Sequence, residues 1–249
     1  MRKDIIYGLR PVIEAVQSGR EIEKVFFKNG LKGDLFHSLM NLLKKHQIPY
    51  QFVPLEKLNR ISRINHQGVI AQISEITYHD LSGIIPALYE KALAPFVLIM
   101  DSITDVRNFG AIARTAECAG VHALLIPSRG GAMIGPDAVK TSAGALHTIP
   151  VCRSENLQDS ILFLKESGLK IVAATEKKGI LYHRAKLEGP AALIMGSEDQ
   201  GISPALLSLA DVNVSIPVLG TIGSLNVSAA ASVLIYEMIR QRSASIQTI

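Results

Sequence analysis

The stretch that decides the fold is FVLIMD at residues 96–101, an uninterrupted apolar run that ends in a carboxylate. A run of this length without polar alternation is typical of a strand that is buried on both faces. The run at 191–195, AALIM, has the same character. Both runs predict strands in the interior of a sheet rather than strands with one face in water.

Working outward from these two runs, apolar strands alternate with helical segments. The predicted strands are FVLIMD (96–101), ALLIP (123–127), IPV (149–151), KIVAAT (170–175), AALIMG (191–196) and NVSIP (213–217). Helices are expected from about Asn108, near 136–143, at 156–167, at 203–209 and from about Ser224. This alternation predicts an α/β fold with a doubly wound, largely parallel sheet, in which ligands bind beyond the carboxyl ends of the strands.

The first 75 residues have a pattern of their own. Helical spacing of apolar residues occurs at 8–18 and 33–46, and short strands are predicted for KVFFK (24–28), PYQFV (49–53) and GVIAQI (68–73). The following stretch loses its periodicity and contains Gly83, Pro86 and Pro95. We therefore predict a small α/β domain at 1–75, a linker at 76–94 and a larger α/β domain at 95–249.

Composition and charge limit the class of protein. Of 249 residues, 48% are hydrophobic and 19% charged, which excludes a disordered tail, a collagen and a coiled coil. Residues 1–75 contain 12 Lys and Arg against 7 Asp and Glu, whereas residues 76–249 contain 14 against 15. A basic small domain beside a near-neutral large one indicates that the first binds a polyanion while the second does chemistry. A merely solvated surface is the alternative.

Cysteine usage and hydropathy bear on the compartment. The two cysteines, Cys118 and Cys152, are too few for a disulfide framework, and no metal-type Cys/His spacing surrounds them. No apolar stretch approaches the roughly 18 residues that span a bilayer. These features predict a cytoplasmic protein without a membrane segment or a metal site.

The nucleotide and hydrolase motifs with the clearest mechanics are absent. The chain has no G-x-G-x-x-G after a strand, no G-x-x-x-x-G-K-[ST], no G-x-S-x-G and no H-E-x-x-H. Three loops at predicted strand ends are instead rich in small and polar residues. They are DSITDVRNFGAIAR (101–114), MGSEDQGIS (195–203) and IPVLGTIGSLNVSAAAS (216–232).

Each loop has a structural and a functional interpretation. Asn108 is placed to cap the next helix, whereas Arg114 lies beside Ala113 and Thr115, whose apolar surroundings predict burial. Glycines at 196 and 201 allow backbone amides to approach a ligand, or simply form a turn. Glycines at 220 and 223 permit a sharp turn before a helix that opens with three alanines, residues 229–231, which are interpreted as structural.

The three loops resemble, in order, the motifs of the SpoU-class, TrmH-like RNA ribose 2′-O-methyltransferases. NFGAIAR, MGSEDQGIS and IPVLGTIGSLNVSAAAS carry the resemblance over about residues 95–245. The segment from YGLRPVIEAV to HQGVIAQ resembles the small substrate-binding domain of the branch that methylates guanosine in 23S rRNA.

The resemblance implies a trefoil knot at the C-terminal end of the larger domain, S-adenosylmethionine as methyl donor, an RNA substrate that is 23S rRNA in the nearest branch, and a homodimer. Matched motif by motif, the implied catalytic residues are Asn108, Arg114, Glu198, Ser224 and Asn226. The implied cofactor-binding residues are Thr175, Gly196, Gly201, Ile216, Gly220 and Leu225.

The sequence leaves the role of Arg114 and the class of RNA substrate open. The family proposal makes Arg114 the base, yet a guanidinium is effectively always protonated, so Arg114 is equally expected to act as a charged clamp on phosphate. The substrate class is also open, since tRNA is an alternative to rRNA. A non-catalytic RNA-binding dimer and a metabolic enzyme of the doubly wound type are the competing functions.

Overall fold

A computed structural model describes residues 5–176 and 179–246, with side chains through residue 243. The chain divides into two compact units, Met1–Thr77 and Tyr78–Ile249.

The first unit is a four-stranded sheet with three helices. Its elements are β1 (Ile5–Tyr7), α1 (Leu9–Gln17), β2 (Ile22–Lys28), α2 (Asp34–Lys45), β3 (Tyr50–Val53), α3 (Leu55–Ile61) and β4 (Val69–Ile73). The strand order is β1-β4-β2-β3, in which only β2 and β3 run parallel. Helices α1 and α2 pack on Val25 and Phe27 of β2, and the short α3 places Leu58 against the opposite face.

The second unit contains the larger sheet. Its elements are β5 (Tyr78–His79), α4 (Leu81–Glu90), β6 (Phe96–Met100), α5 (Val106–Cys118), β7 (Ala123–Pro127), α6 (Pro136–Thr141), β8 (Val151–Ser154), α7 (Leu157–Glu166), β9 (Lys170–Ala174), β10 (Ile180–Leu181), β11 (Ala191–Met195), α8 (Pro204–Leu207), β12 (Val212–Ser215) and α9 (Val227–Ile246). The eight strands have the order β10-β12-β9-β11-β6-β7-β8-β5, and every pair is parallel.

The predicted parallel α/β sheet is confirmed, and its central strands are covered on both faces. All five residues of β6 and all five of β11 are buried. Val97 and Ile99 of β6 join the core formed with α4, α7 and α8. The alternate residues of β6 point to the other face, where α5 packs against α9. The knot implied by the resemblance stays a prediction.

The segment 76–94 is not the irregular linker that its glycine and prolines predict. It forms β5, which pairs with β8 of the large sheet, and the ten-residue helix α4. Asp80 caps this helix, because its side chain accepts a hydrogen bond from the Ser82 amide. Leu81 and Ile85 lie one turn apart and are buried, so packing of one helix face outweighs the cost of Pro86 inside the helix.

The last helix is anchored near its C-terminal end by two polar side chains, the buried Gln241 and the half-buried Arg242. The Arg242 guanidinium donates hydrogen bonds to the carbonyl oxygens of Ala94, Pro95 and Gly189. Burial lowers the pKa of Arg242. Next to it, the Gln241 side chain accepts a hydrogen bond from the backbone of Leu187 at 2.8 Å. These contacts fix α9 to the edge of the sheet where β6 and β11 begin.

Both cysteines are free thiols, and burial raises the pKa of Cys152 to about 12. Within the described part of the chain, no helix is long and apolar enough to cross a membrane. The same residues contain no group of three or more His, Cys, Asp or Glu side chains in a metal-binding arrangement.

Close packing of α5 on α6 depends on the absence of a side chain at Gly110. A Cβ at this position would lie 2.7 Å from the Thr141 Cβ and 3.0 Å from the Ala138 carbonyl oxygen. We expect Gly110→Ala to destabilise the larger unit by about 2 kcal/mol, because α5 and α6 must move apart. Thermal unfolding should show a loss of roughly 4 to 8 °C in Tm.

Gly83→Ala is the matched control. Gly83 also lies in a helix, α4, but a Cβ there meets no atom within 4 Å. This variant should unfold at the wild-type temperature or slightly above it, since alanine favours helix. Equal effects of the two variants would contradict the packing argument.

Candidate functional site

A cleft opens at the carboxyl ends of β9, β11 and β12, beside the start of α9. Its open space is about 700 Å³, counting solvent at the mouth. The principal lining residues are Thr175 and Glu176 after β9, Gly196, Ser197, Glu198 and Gly201 after β11, Ile216 and Val218 after β12, and Ser224, Leu225 and Ala230 around the start of α9. This is the edge at which open parallel sheets bind their ligands.

Most of the residues expected to hold a cofactor line this cleft. They are Thr175, Gly196, Gly201, Ile216 and Leu225. Gly220 does not line the cleft; it lies in an exposed loop and has open space where a Cβ would be. The neighbouring glycine that does line the cleft is Gly223.

The loop after β11 closes tightly on itself. Ser197 and Gly201 exchange two backbone hydrogen bonds of 3.2 and 2.9 Å. A Cβ on Gly196 would lie 2.1 Å from the carbonyl carbon of Gly201, and Gly201 itself has φ of +68°. Gly196 is therefore required by the closure of the loop, whatever a ligand requires. The two glycines shape a turn that presents Glu198 to the cleft.

Glu198 connects three segments of the chain through one oxygen. Its Oε1 accepts hydrogen bonds from Asn108 Nδ2 at 3.0 Å, Asn226 Nδ2 at 2.6 Å and the Val227 amide at 3.2 Å. Asn226 Nδ2 also donates to Asn108 Oδ1 at 3.0 Å. Asn108, Glu198 and Asn226 come from three loops far apart in sequence, and we call them the polar triad.

The triad residues are positioned by the ends of two helices. Asn226 caps α9, because its Oδ1 accepts hydrogen bonds from the backbone amides of Ser228 and Ala229. The cap of α5 is Asp105 rather than Asn108, since the Asp105 side chain accepts from the amides of residues 107 and 108. The interpretation of Asn108 as a cap is therefore wrong: it lies inside the first turn, with its side chain directed to Glu198.

Arg114 is not buried, contrary to the expectation from its neighbours. Helix α5 buries Phe109, Ile112, Ala113 and Ala116, whereas Arg114 is exposed. At about 100° per residue, Arg114 points roughly 200° away from Ile112, so small neighbours in sequence do not place it in the core. It has no hydrogen bond or ion pair with the residues that the structure describes, and it does not line the cleft.

Ser224 lines the cleft and is exposed, without a side-chain hydrogen bond in the described ranges. The structure thus brings four of the five expected catalytic residues to one place and leaves Arg114 outside it.

Sequence reasoning missed two carboxylates that build or line the site. Buried Asp101 accepts a hydrogen bond from the Ser203 amide at 2.7 Å and so ties the end of β6 to the loop after β11. Glu176 lines the cleft from the end of β9. Each directly follows an apolar strand or a short continuation of it, and that position was the available signal.

Comparison with known proteins identifies the family. Residues 95–236 match the SpoU rRNA Methylase family, and residues 5–79 match the family described as RNA 2'-O ribose methyltransferase substrate binding. The chain belongs to the SpoU rRNA methylase family. The class of protein defined by the fold and the cleft is therefore a two-part methyltransferase of this family.

Individual relatives extend the match to nearly the whole chain. YacO of Bacillus subtilis, assigned to the TrmH family of tRNA/rRNA methyltransferases, is 34% identical over 241 residues, 96% of each chain. A Staphylococcus haemolyticus protein assigned to the same family is 34% identical over 242 residues, 97% of each. The crystal structure of the SpoU methyltransferase AviRb from Streptomyces viridochromogenes, in complex with AdoMet, superposes with a TM-score of 0.60 at 26% identity, covering 96% of this chain and 90% of AviRb.

The contacts of the polar triad predict that one substitution at Asn226 will change stability in a pH-dependent way. Asn226→Asp keeps the oxygen that caps α9 but replaces the amide donor with a carboxylate 2.6 Å from Glu198 Oε1. We expect a loss of about 1 to 3 kcal/mol at pH 8, because two carboxylates then share one site. Repulsion raises the folded-state pKa of the pair, so the loss should shrink as the pH falls towards 5.

Asn226→Ala is the control without an added charge. It removes the capping oxygen together with the Nδ2 donor to Glu198 and Asn108, and should cost about 1 kcal/mol at every pH in that range. Urea unfolding at several pH values measures both variants. A loss in Asn226→Asp that does not change with pH would contradict the close contact with Glu198.

Proposed function

We propose that this protein transfers a methyl group from S-adenosylmethionine to a ribose 2′-hydroxyl of structured RNA, and that the target is a guanosine in 23S rRNA. The observation that carries the proposal is the cleft at the strand ends with the polar triad at its rim. Family membership supports methyl transfer to RNA. The relatives are labelled tRNA/rRNA methyltransferases, so the choice of 23S rRNA rests on the sequence resemblance.

The cofactor is S-adenosylmethionine, which AviRb of the same family binds, and the cleft fits a molecule of this kind. The cleft lies at the strand ends, where open parallel sheets bind their ligands. Ile216 and Leu225 offer apolar surface, and Thr175 offers a hydroxyl and backbone groups at the end of β9. When bound, the cofactor supplies a methyl group on a positively charged sulfur.

The residues of the chain contribute mainly by positioning. Asn108 and Asn226 are held by the ends of α5 and α9, so their side chains are fixed before an RNA arrives. Fixed groups of this kind reduce the entropic cost of aligning a nucleophile at about 3 to 3.5 Å. Arg114, exposed and charged, is suited to clamp an RNA phosphate, since its planar guanidinium matches phosphate and keeps its proton.

RNA binding is assigned chiefly to the first unit. Residues 5–79 match a family described as substrate binding, and the positive excess of the chain lies in residues 1–75. Phosphate contacts from Lys and Arg supply much of the affinity for RNA. The target guanosine is expected in a loop or bulge, where proteins reach an unpaired nucleotide. The cytoplasmic location stays part of this proposal.

A homodimer is the expected assembly, and exposed apolar side chains on α9 and in the loop before it support this expectation. On α9, Ala231, Leu234 and Ile235 are buried inside the protein's own core. Outward-facing apolar surface on α9 comes instead from Val233 and Tyr236, 36% and 52% exposed. The loop before α9 adds two almost fully exposed side chains, Leu219 at 97% and Ile222 at 78%. Apolar side chains this exposed and this close in sequence favour a protein contact.

Mapping of ribose methylation tests the function. Total RNA from cells that lack this protein is incubated with S-adenosylmethionine and the purified chain, and 2′-O-methyl positions are read from resistance to alkaline cleavage. We expect one new site, at a guanosine of 23S rRNA. Ala230→Leu, which fills the cleft, should abolish the site, whereas Ala205→Leu on the exposed side of α8 should not.

A new 2′-O-methyl position in tRNA, with none in 23S rRNA, would show that the substrate is tRNA. RNA binding without any new methyl group would support the non-catalytic RNA-binding dimer and overturn the proposed activity.

Sedimentation velocity at low micromolar concentration tests the dimer. Wild type should sediment as a dimer and Tyr236→Glu as a folded monomer, because a charge in an apolar contact is costly. Leu162→Glu is the matched control: Leu162 is 45% exposed but lies on α7, which packs on the opposite face of the sheet from α9. If Tyr236→Glu still sediments as a dimer, α9 does not form the interface.

A further inference from the structure

The positive excess of the first unit is concentrated on one edge of its sheet. Strands β1, β2 and β3 end at this edge and β4 begins there, because β2 and β3 run parallel and β4 is antiparallel to β1 and β2. We call residues 8–10, 28–35 and 52–68 the basic edge. It carries six Lys and Arg against two Asp and Glu, whereas the rest of residues 5–77 carry four against four. The six basic side chains are all exposed: Arg10, Lys28, Lys32, Lys57, Arg60 and Arg63.

The exposed apolar side chains of the first unit lie on the same edge. Among residues 5–77, the large apolar side chains that are exposed are Leu35, Phe52, Leu55 and Ile64, and each belongs to the basic edge. Basic side chains interleaved with apolar and aromatic ones are typical of surfaces that bind unpaired nucleotides. The phosphates of such a strand are attracted by positive charge, and its bases stack on aromatic rings.

Phe52 supplies the exposed aromatic ring of this edge. It lies on β3, the outer strand of the sheet, and its ring centroid is 5.6 Å from that of Phe27 and 6.1 Å from those of Phe36 and Tyr50. These three neighbours hold the ring in place, yet 44% of Phe52 is exposed. A ring that is already held in one position loses little entropy when a base stacks on it.

The loop that precedes β4 is also fixed, by a buried histidine. His66 Nδ1 accepts a hydrogen bond from the Gly68 amide at 3.0 Å, and His66 Nε2 lies 3.0 Å from Asn59 Oδ1. Since Nδ1 is an acceptor, Nε2 of the neutral ring carries the hydrogen and donates to Asn59. These two bonds tie the loop to α3 and to the start of β4, so Arg63 and Ile64 extend from a loop of defined shape.

We propose that the basic edge binds an unpaired segment of the RNA substrate, with one base stacked on Phe52 and the phosphates held by the basic side chains around it. This inference rests on the proposed function, since it takes RNA as the ligand. It adds the form of RNA that the first unit recognises, which is an unpaired strand rather than the regular backbone of a duplex. Lys28, which is paired with Val53 in the β2–β3 register, lies beside the stacking position.

The charge of the edge favours RNA as the occupant over a protein. The two acidic residues there, Asp34 and Glu56, lie in the first turns of α2 and α3, where a negative charge stabilises the helix. The edge keeps a positive net charge despite them. It is also separate from the surface proposed for the homodimer, which consists of α9 and the loop before it in the second unit.

Binding to two RNAs tests the stacking. The probes are a short single-stranded RNA of mixed sequence and the duplex that it forms with its complement. Phe52→Leu keeps an apolar side chain but removes the ring, and should raise the Kd for the single strand about 5- to 100-fold, the contribution of one stacked base. The Kd for the duplex and the Tm should stay near wild type. Leu162→Ala, which truncates a similarly exposed apolar side chain on α7, should change neither Kd.

A fluorescent reporter at the same position tests the contact directly. The sequence contains no tryptophan, so Phe52→Trp introduces a single one. Because tryptophan also stacks on bases, this variant should retain the wild-type Kd for the single strand, and its fluorescence should be quenched on binding. The control is His46→Trp, at the exposed end of α2 on the opposite edge of the sheet, whose fluorescence should not change.

The salt dependence of binding tests the basic side chains. Replacement of both Arg60 and Arg63 by Gln should weaken binding to the single strand and lower the slope of log Kd against log salt by about one to two. The matched control replaces Lys44 and Lys45 by Gln. These lysines are exposed in the last turn of α2, away from the basic edge, and their loss should leave the slope at its wild-type value.

The inference and the proposed function fail in different ways. An unchanged Kd of Phe52→Leu for the single strand, an equal loss for the duplex, or an unquenched complex of Phe52→Trp would each overturn the inference, and the exposed apolar side chains would then belong to a protein contact. If wild type methylates RNA while any of these results is found, only the stacking surface is wrong. If the binding results are as expected but no RNA is methylated, the surface stands and the proposed activity is wrong.

Discussion

The site depends on one carboxylate oxygen. Glu198 Oε1 holds together the first turn of α5, the loop after β11 and the start of α9, which are separated by 90 and 28 residues along the chain. Each of these segments belongs to a different part of the sheet's edge, and no other side-chain hydrogen bond described above joins all three. Loss of Oε1 would leave the Asn108 amide and the Val227 backbone N–H without this acceptor, and Asn226 Nδ2 would retain only Asn108 Oδ1. The geometry of the cleft rim therefore follows from this contact more than from any single loop.

Apolar patterning was sufficient to predict the parallel sheet, and the reason is visible in β6 and β11. Strands buried on both faces must be apolar throughout, and continuous apolar runs of only five residues are shorter than most helices. The segment 76–94 was wrongly predicted as a linker, because its local sequence does not show the long-range packing that stabilises it. Its glycine and prolines signal a break locally, but the helix α4 is stabilised by burial of Leu81 and Ile85 against distant strands, which local pattern does not reveal.

The residues of the candidate site could likewise be predicted only in part from the sequence. Asn108, Glu198 and Asn226 were identifiable as polar residues in loops after strands, and the resemblance named them. Which of them contact one another was not predictable, because strand order decides which loops become neighbours, and β11 lies next to β6 although some 90 residues separate them. The exposure of Arg114 depends on helical phase: its apolar neighbours describe the adjacent faces of α5, not its own. Gly196 was expected either to let a ligand approach or simply to form a turn, and the close approach of the Gly201 backbone shows that the turn itself requires it.

Helix α9 is secured at both ends, by Asn226 at its start and by Gln241 and Arg242 near its end. Its partners at the far end, Ala94 and Gly189, lie well before it in the chain and shortly before strands β6 and β11. A growing polypeptide that has not reached this helix lacks Asn226 and one wall of the cleft. Until α9 has been synthesised, the cleft therefore lacks Ala230 and the polar triad lacks one of its three members.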